Sequence, residues 1–243
     1  MLTAPVPRPD TPYAPYHGNV WRLIEGQYRS ATVRIVDTDP EHAVLEDILE
    51  ESKPPVPEAC KHLDYQFWSP FRYGCYPRAS RFRRAGQTPG VWYGAETALT
   101  AVIESIWGAV AFFRASPSTP MPRRPVEHTA VQADIRAAVA VDLTDPVMVG
   151  QGRWADPSDY SDCLALADQV RSDGCEAIRY QSVRDPARRA NVAVLSCAAF
   201  AQRAPIAQQT WHIILRPILV RAHCETLRQR HQFAVGADAL ELC

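Results

Sequence analysis

The 243-residue chain is nearly without lysine: only Lys53 and Lys61 occur, and arginine carries the rest of the positive charge. Lys+Arg at 26 against Asp+Glu at 27 leave a formal net charge of −1, so no global field draws the chain to nucleic acid or anionic lipid. The seven cysteines (Cys60, Cys75, Cys163, Cys175, Cys197, Cys224 and Cys243) contain no CxxC pair, which argues against a zinc ribbon and a thioredoxin-type site. GxGxxG, P-loop, HExxH and GxSxG signatures are absent, and the histidines are dispersed rather than set at ligand spacing. Long hydrophobic runs are missing too. The most apolar stretch, Thr97 to Phe113, is broken by Glu104 and is too short to span a bilayer. Met1 to Gly18 has five prolines and no apolar core, unlike a secretory signal. These absences lead to an expectation of a reduced, soluble, cytoplasmic protein with no metal, no membrane contact and no direct contact with nucleic acid.

What is present fits a folded chain. With 47% hydrophobic and 22% charged residues, a chain of this length buries roughly 70–75% of its unfolded surface. Residues 1–16 read as a proline-rich arm and 17–243 as one domain. Asn19 to Leu23 is a strand candidate. Asp39-Pro40 opens a helix whose apolar residues Val44, Leu45, Ile48 and Leu49 have helical spacing, and Lys53-Pro54-Pro55 stops it. Residues 64–75 read as aromatic loop plus strand. Ser80 to Arg84 and Val91 to Tyr93 are expected strands, and the strongest helix follows over Leu99 to Phe113. Two strands are expected at Val126 to Ala133 and Ala137 to Leu143. A helix capped by Asp156-Pro157 ends at Asp173-Gly174. Strands are expected again over 177–183, 191–195, 211–215 and 218–221, and residues 224–243 read as cover for the core or, alternatively, as a segment that docks a partner. Strands outnumber helices and mostly follow one another directly, which predicts a mixed α+β domain rather than a doubly wound parallel sheet.

Chemistry concentrates in a few places. Glu104 interrupts an apolar helix beside Val102, Ile103 and Ile106, and a buried carboxylate costs several kcal/mol unless it is paired or hydrogen-bonded. It is either a border residue paired with an arginine or a functional carboxylate. Arg81, Phe82, Arg83 and Arg84 form a basic stretch that is either a solvated strand edge or an anion site. Strand alternation would put Arg81 and Arg83 on one face and Phe82 with Arg84 on the other. Downstream, Tyr180-Gln181-Ser182 precedes Arg184, Arg188 and Arg189.

The order and spacing of these residues resemble the RES domain family. Its first element, Gly-Arg-(Trp/Phe)-Asn, is matched by Ser80-Arg81-Phe82-Arg83, with Ser80 for Gly and Arg83 for Asn. Tyr93-Gly94-Ala95-Glu96 and Thr100-Ala101-Val102-Ile103-Glu104 follow. The third element reads Gly174-Cys175-Glu176-Ala177-Ile178-Arg179-Tyr180-Gln181-Ser182, with Asn191 further on. The motifs span about residues 70–200.

The resemblance implies a fold similar to ADP-ribosyltransferases, a mixed, split β-sheet flanked by helices with a cleft for NAD+. It implies the toxin of a toxin–antitoxin pair, with NAD+ as substrate and a helix-turn-helix antitoxin as partner; self-association stays open. Carried over by motif, Glu104, Arg81 and Ser182 are the expected catalytic residues, and Arg81, Tyr93, Ser182, Arg83 and Asn191 the expected NAD+ contacts. In that scheme Glu104 stabilises a developing ribosyl cation and Arg81 forks the diphosphate. Tyr93 stacks on nicotinamide, and the Ser182 hydroxyl meets ribose or carboxamide groups. Three outcomes remain: an NAD+ glycohydrolase, a mono-ADP-ribosyltransferase, or an inactive binding module.

Overall fold

Residues 11–25, 36–236 and 240–242 are described in the structure, a computed structural model. The fold is mixed α+β and is organised around one long strand. Strand β3 (Val126–Asp142) pairs along one edge with β1 (Tyr13–Glu25), antiparallel. Its other edge is shared: residues 126–132 pair with β6 (Ala207–Leu215), and residues 140–142 pair in parallel with β4 (Ala177–Gln181). The sheet splits there. On one side β4 continues to β5 (Ala190–Val194) and β2 (Trp92–Ala95), and β2 returns to β1 at Trp21↔Ala95, closing a ring of five strands. On the other side β6 leads to β7 (Leu219–Cys224), β8 (Gln229–Val235) and β9 (Leu240–Leu242).

The two strands expected over 126–143 are therefore one, and β8 and β9 extend the sheet beyond the expected last strand. Phe233 and Leu240 are buried there, so this segment covers the core as expected, while Leu227 stays half exposed in the turn before β8. Of the expected arm, residues 1–10 lie outside the described residues, and Tyr13–Tyr16 belong to β1.

The helices show where local signals were sufficient. Helix α1 (Asp39–Ser52) has the expected extent, but Thr38 rather than Asp39 is its N-cap. The Thr38 hydroxyl accepts from the Glu41 amide while the Glu41 carboxylate accepts from the Thr38 amide, a reciprocal capping box. Residues 65–72 form helix α2 (Tyr65–Arg72), not loop and strand. Pro70 is tolerated because it deprives Gln66 O of its helical donor and the buried Trp92 indole takes that place at 3.1 Å. Helix α3 (Ala98–Ala115) starts at Thr97, whose hydroxyl accepts from the Thr100 amide. Helix α4 (Ser161–Ser172) begins five residues after Asp156. Asp156 instead folds a loop turn, accepting from the Ser158 and Asp159 amides. The expected stop holds: Gly174 takes a left-handed φ of 78° just past the helix end.

Three packed clusters follow from this layout. One face of the ring buries Val20, Trp92, Ile135, Val192 and Val194 against Phe67 of α2 and Phe200, whose rings stack at 4.7 Å. The opposite face of β4 and β5 buries Ile178, Tyr180 and Ala193 under α4. Helix α3 lies over the extension, with Val102, Ile103, Ile106 and Val110 against Trp211, Val220 and Phe233. All five residues of β5 are consequently buried.

The expectation of an all-reduced cysteine set is overturned. Cys60 and Cys197, 137 residues apart, form a disulfide that ties the helical turn at 58–60 to the turn at 197–199, within the same buried cluster as Phe67 and Phe200. Unreduced protein in denaturant should then titrate at most five of its seven thiols. Replacing Cys60 by Ala should cost about 2–5 kcal/mol of stability in denaturant melts; seven titratable thiols would show that the pair is open.

Candidate active site

A cleft of about 770 Å³ opens between the end of α2 and the loop that follows it to residue 83, β2, α3 and the loop preceding α4. Glu104, Tyr93, Arg81, Arg83, Asn191 and Arg22 all line it. Helix α3 carries Glu104 at the cleft wall, flanked by buried Val102 and Ile103. β4 runs into a tight loop that places Ser182 opposite, and Asn191 lies on β5 directly across from Tyr180.

Glu104 is neither a solvated border residue nor an arginine partner. Its Oε1 accepts from Ser182 Oγ at 2.5 Å and from Asn191 Nδ2 at 2.7 Å. Among the described residues no protein donor reaches Oε2, so one oxygen is clamped and the other is left to the cleft. Ser182 is fully committed: its hydroxyl accepts from the amides of Arg184 (3.3 Å) and Asp185 (3.0 Å), and its one proton goes to Glu104. It is 1% exposed. A hydroxyl so used has nothing left for a substrate, which corrects the expected contact of Ser182 with ribose or carboxamide. Tyr180 packs beside the pair; burial, reinforced by the Glu104 charge, pushes its phenol well above the ordinary range and keeps it neutral.

The arginines also depart from expectation. Ser80–Arg83 is not a strand: reciprocal backbone bonds between Ser80 and Arg83 close a tight turn with Arg81 and Phe82 at its corners. The expected facing of Arg81 with Arg83 therefore does not exist. The Arg81 guanidinium points into the protein, donating to Trp154 O and Asp156 O, each at 2.9 Å, and it lies over the Tyr160 ring at 4.4 Å. Arg184 holds the same loop through Pro157 O at 2.5 Å. Arg84 makes an exposed ion pair with Asp168 of α4. Arg83 lies over the Tyr76 ring at 4.1 Å, and its Nε is buried without a hydrogen-bond partner. Arg22 of β1 reaches the cleft from behind, donating to Tyr93 O at 3.4 Å, and desolvation pushes its guanidinium down to about 10.

Tyr93 contributes its ring to the cleft wall, while its hydroxyl is fixed by Ser80 Oγ at 2.9 Å and by the Phe82 amide at 3.1 Å. Burial raises its phenol. Glu96, the other glutamate of the motif run, has a structural partner: Arg179 grips it with two hydrogen bonds (2.7 and 3.0 Å) and also reaches Asp142. Cys163 sits 3.9 Å from Arg81 Nη1, but burial raises its thiol, so it does not present a ready thiolate.

Reading the sequence missed Arg22, Tyr160 and the carboxylate of Asp185. The spacing of Thr100 and Glu104, one helical turn apart, was the one visible hint that two successive turns of α3 face the same loop.

The family model described as RES domain matches residues 55–216. No curated protein matches the chain. Among solved structures, the chain is similar to one titled the crystal structure of the M. tuberculosis MbcT-MbcA toxin-antitoxin complex. The TM-score is 0.46 at 12% identity, over 81% of this chain and 85% of that one.

The bonding of the two neighbouring arginines sets up a contrast in stability. Arg81→Met should remove about 2–4 kcal/mol in chemical denaturation, because two loop carbonyls lose charge-assisted donors. Arg84→Gln should stay within about 1 kcal/mol of the parent, as an exposed ion pair does; equal losses would contradict the buried assignment of Arg81.

Proposed function

The chain belongs to the RES domain family, and on that premise we propose that it is a toxin that consumes NAD+ by breaking the nicotinamide–ribose bond. The observation that carries this reading is the half-clamped carboxylate of Glu104, with Oε1 held by Ser182 and Asn191 and Oε2 turned to a cleft whose lining includes four arginines and five tyrosines.

The chemistry suits that layout. Nicotinamide in NAD+ is already cationic and leaves as a neutral base, so no general acid is needed; the barrier lies in the oxocarbenium-like ribose that develops. A preorganised negative charge beside that carbon stabilises it without reorganisation. Oε2 supplies the charge. Ser182 and Asn191 act through Glu104 by fixing its plane, and the Tyr93 ring offers a π face to the nicotinamide cation. Water then adds to the anomeric carbon, giving ADP-ribose, nicotinamide and a proton. Arg83 and Arg22, each with one internal hydrogen bond against the two backbone carbonyls held by Arg81, are the guanidinium groups that would meet the diphosphate. We take its partner to be a helix-turn-helix antitoxin, a reading supported by the family resemblance.

Incubation of the purified protein with NAD+ should release nicotinamide and free ADP-ribose in equal amounts. ADP-ribose attached to protein would instead identify a transferase, and intact NAD+ would leave only a binding module. Glu104→Gln should lower turnover about a hundredfold or more, with melting temperature and NAD+ affinity nearly unchanged. Expression without an antitoxin should arrest bacterial growth as cellular NAD+ falls. Full turnover by Glu104→Gln, or normal growth with undiminished NAD+, would overturn the proposal.

A further inference from the structure

The geometry points to Asp185 and Thr100 as positioning residues for this reaction, a clamp that sets the register between helix α3 and the loop at 182–189 so that Ser182 meets Glu104. The inference rests on the reading of Glu104 as the reacting carboxylate. It concerns groups that touch no substrate.

Asp185 is 2% exposed, and all four acceptor positions of its carboxylate are filled. Oδ1 accepts from the Ala187 amide at 2.9 Å and from Arg189 Nη2 at 3.0 Å. Oδ2 accepts from Arg189 Nε at 2.7 Å and from Thr100 Oγ1 at 2.7 Å. Burial opposes the charge, but the bonds from Arg189 and Thr100 outweigh it and hold the carboxyl below its ordinary range. Its backbone is bound as well: the Asp185 amide donates to Ser182 Oγ, and its carbonyl accepts from the Arg188 amide at 2.8 Å. The loop is closed at its neck by the Ser182 amide on Arg189 O.

Thr100 and Glu104 are four residues apart on α3 and so lie on one face, one turn above the other. The loop therefore meets the helix through two rungs, Asp185–Thr100 and Ser182–Glu104. The Thr100 rung is buried, whereas Glu104 opens to the cleft. A buried, saturated bond between rigid elements is worth more than its neighbour at the cleft, because water does not compete for it. Asp185 thus performs two tasks. Its side chain ties the loop to α3, and its amide occupies a lone pair of Ser182 and directs the remaining proton to Glu104. Loss of the first rung lets the loop move relative to the helix, and a displacement of about 1 Å at a reacting group costs up to about a hundredfold in rate.

The test compares Thr100→Val, which keeps shape but lacks the hydroxyl, with Thr100→Ser, which keeps the donor. Thr100→Val should lower kcat for NAD+ cleavage about tenfold or more with KM within about twofold, and Thr100→Ser should restore it. In a Glu104→Gln background Thr100→Val should add no further loss, since the clamp acts through Glu104. Amide hydrogen exchange of Arg184 and Asp185, whose N–H groups are held by Ser182, supplies a readout independent of any substrate; both should exchange faster in Thr100→Val. Should that variant not fold, Arg189→Gln, which removes two bonds to the same carboxylate from a half-exposed position, serves for the same measurements. Unchanged kcat with protected amides, or losses in kcat that multiply in the Glu104→Gln background, would overturn the clamp. Wild-type protein that leaves NAD+ intact would overturn the proposed reaction, and the amide exchange would still decide whether Thr100 holds the loop.

Discussion

A carboxylate placed in the apolar wall of a helix has to find donors, and much of the region around the cleft meets that demand for Glu104. Ser182 and Asn191 converge on one oxygen from the end of β4 and from the middle of β5. To do so, β4 and β5 must be paired in one register, Tyr180 opposite Asn191, and α3 must be packed at one height over the sheet. Burial of all five residues of β5 secures the first condition, because a one-residue slip would turn Asn191 to the opposite face. Packing of α3 on the sheet secures the second. The same bonds that make the carboxylate tolerable also leave its second oxygen unspent.

The arginine-rich composition takes on a different meaning in this light. Arg81 and Arg184 are bonded to backbone carbonyls of the loop at 154–157, while Arg179 and Arg189 hold carboxylates. Guanidinium groups offer five donors in a rigid fork, so each can tie an irregular segment to the sheet in a way an ammonium cannot. Long connections between strands remain ordered by this means, where apolar burial alone would leave their carbonyls unpaired. Much of the positive charge around the cleft is thus structural, and its walls are held by the residues that line them.

Patterns with a local cause were legible in the chain. The amphipathic stretch of α3, the Asp173-Gly174 stop and the succession of strands β4 to β7 follow from periodicity and turn residues, and they sufficed to identify the α+β class. Helix α2 was hidden because Pro70 speaks against a helix unless its missing hydrogen bond is replaced, and the replacement donor, Trp92, lies 26 residues beyond the acceptor Gln66. Asp156-Pro157 resembled a helix cap because Asp side chains cap loop turns by the same bonds. The Ser80–Arg83 turn looked like a strand because basic and aromatic residues alternate there for reasons of contact, not of pleat.

The candidate site divides along the same line. The residue types of Glu104, Ser182, Asn191, Arg81, Arg83 and Tyr93 and their order along the chain were determined by the sequence, and so was the oddity of a glutamate within an apolar helix. Which of them bond to one another was decided only in three dimensions. The Ser182 hydroxyl is consumed by two amides of its own loop, Arg81 turns away to carbonyls some 75 residues downstream, and Asp185 reaches back 85 residues to Thr100. Cys60 and Cys197 meet in the same way across 137 residues. A side chain carries the same donors and acceptors wherever it sits, so residue type limits what it is able to do. The partners it exhausts are set by distances between strands and helices, and sequence separation does not encode those distances.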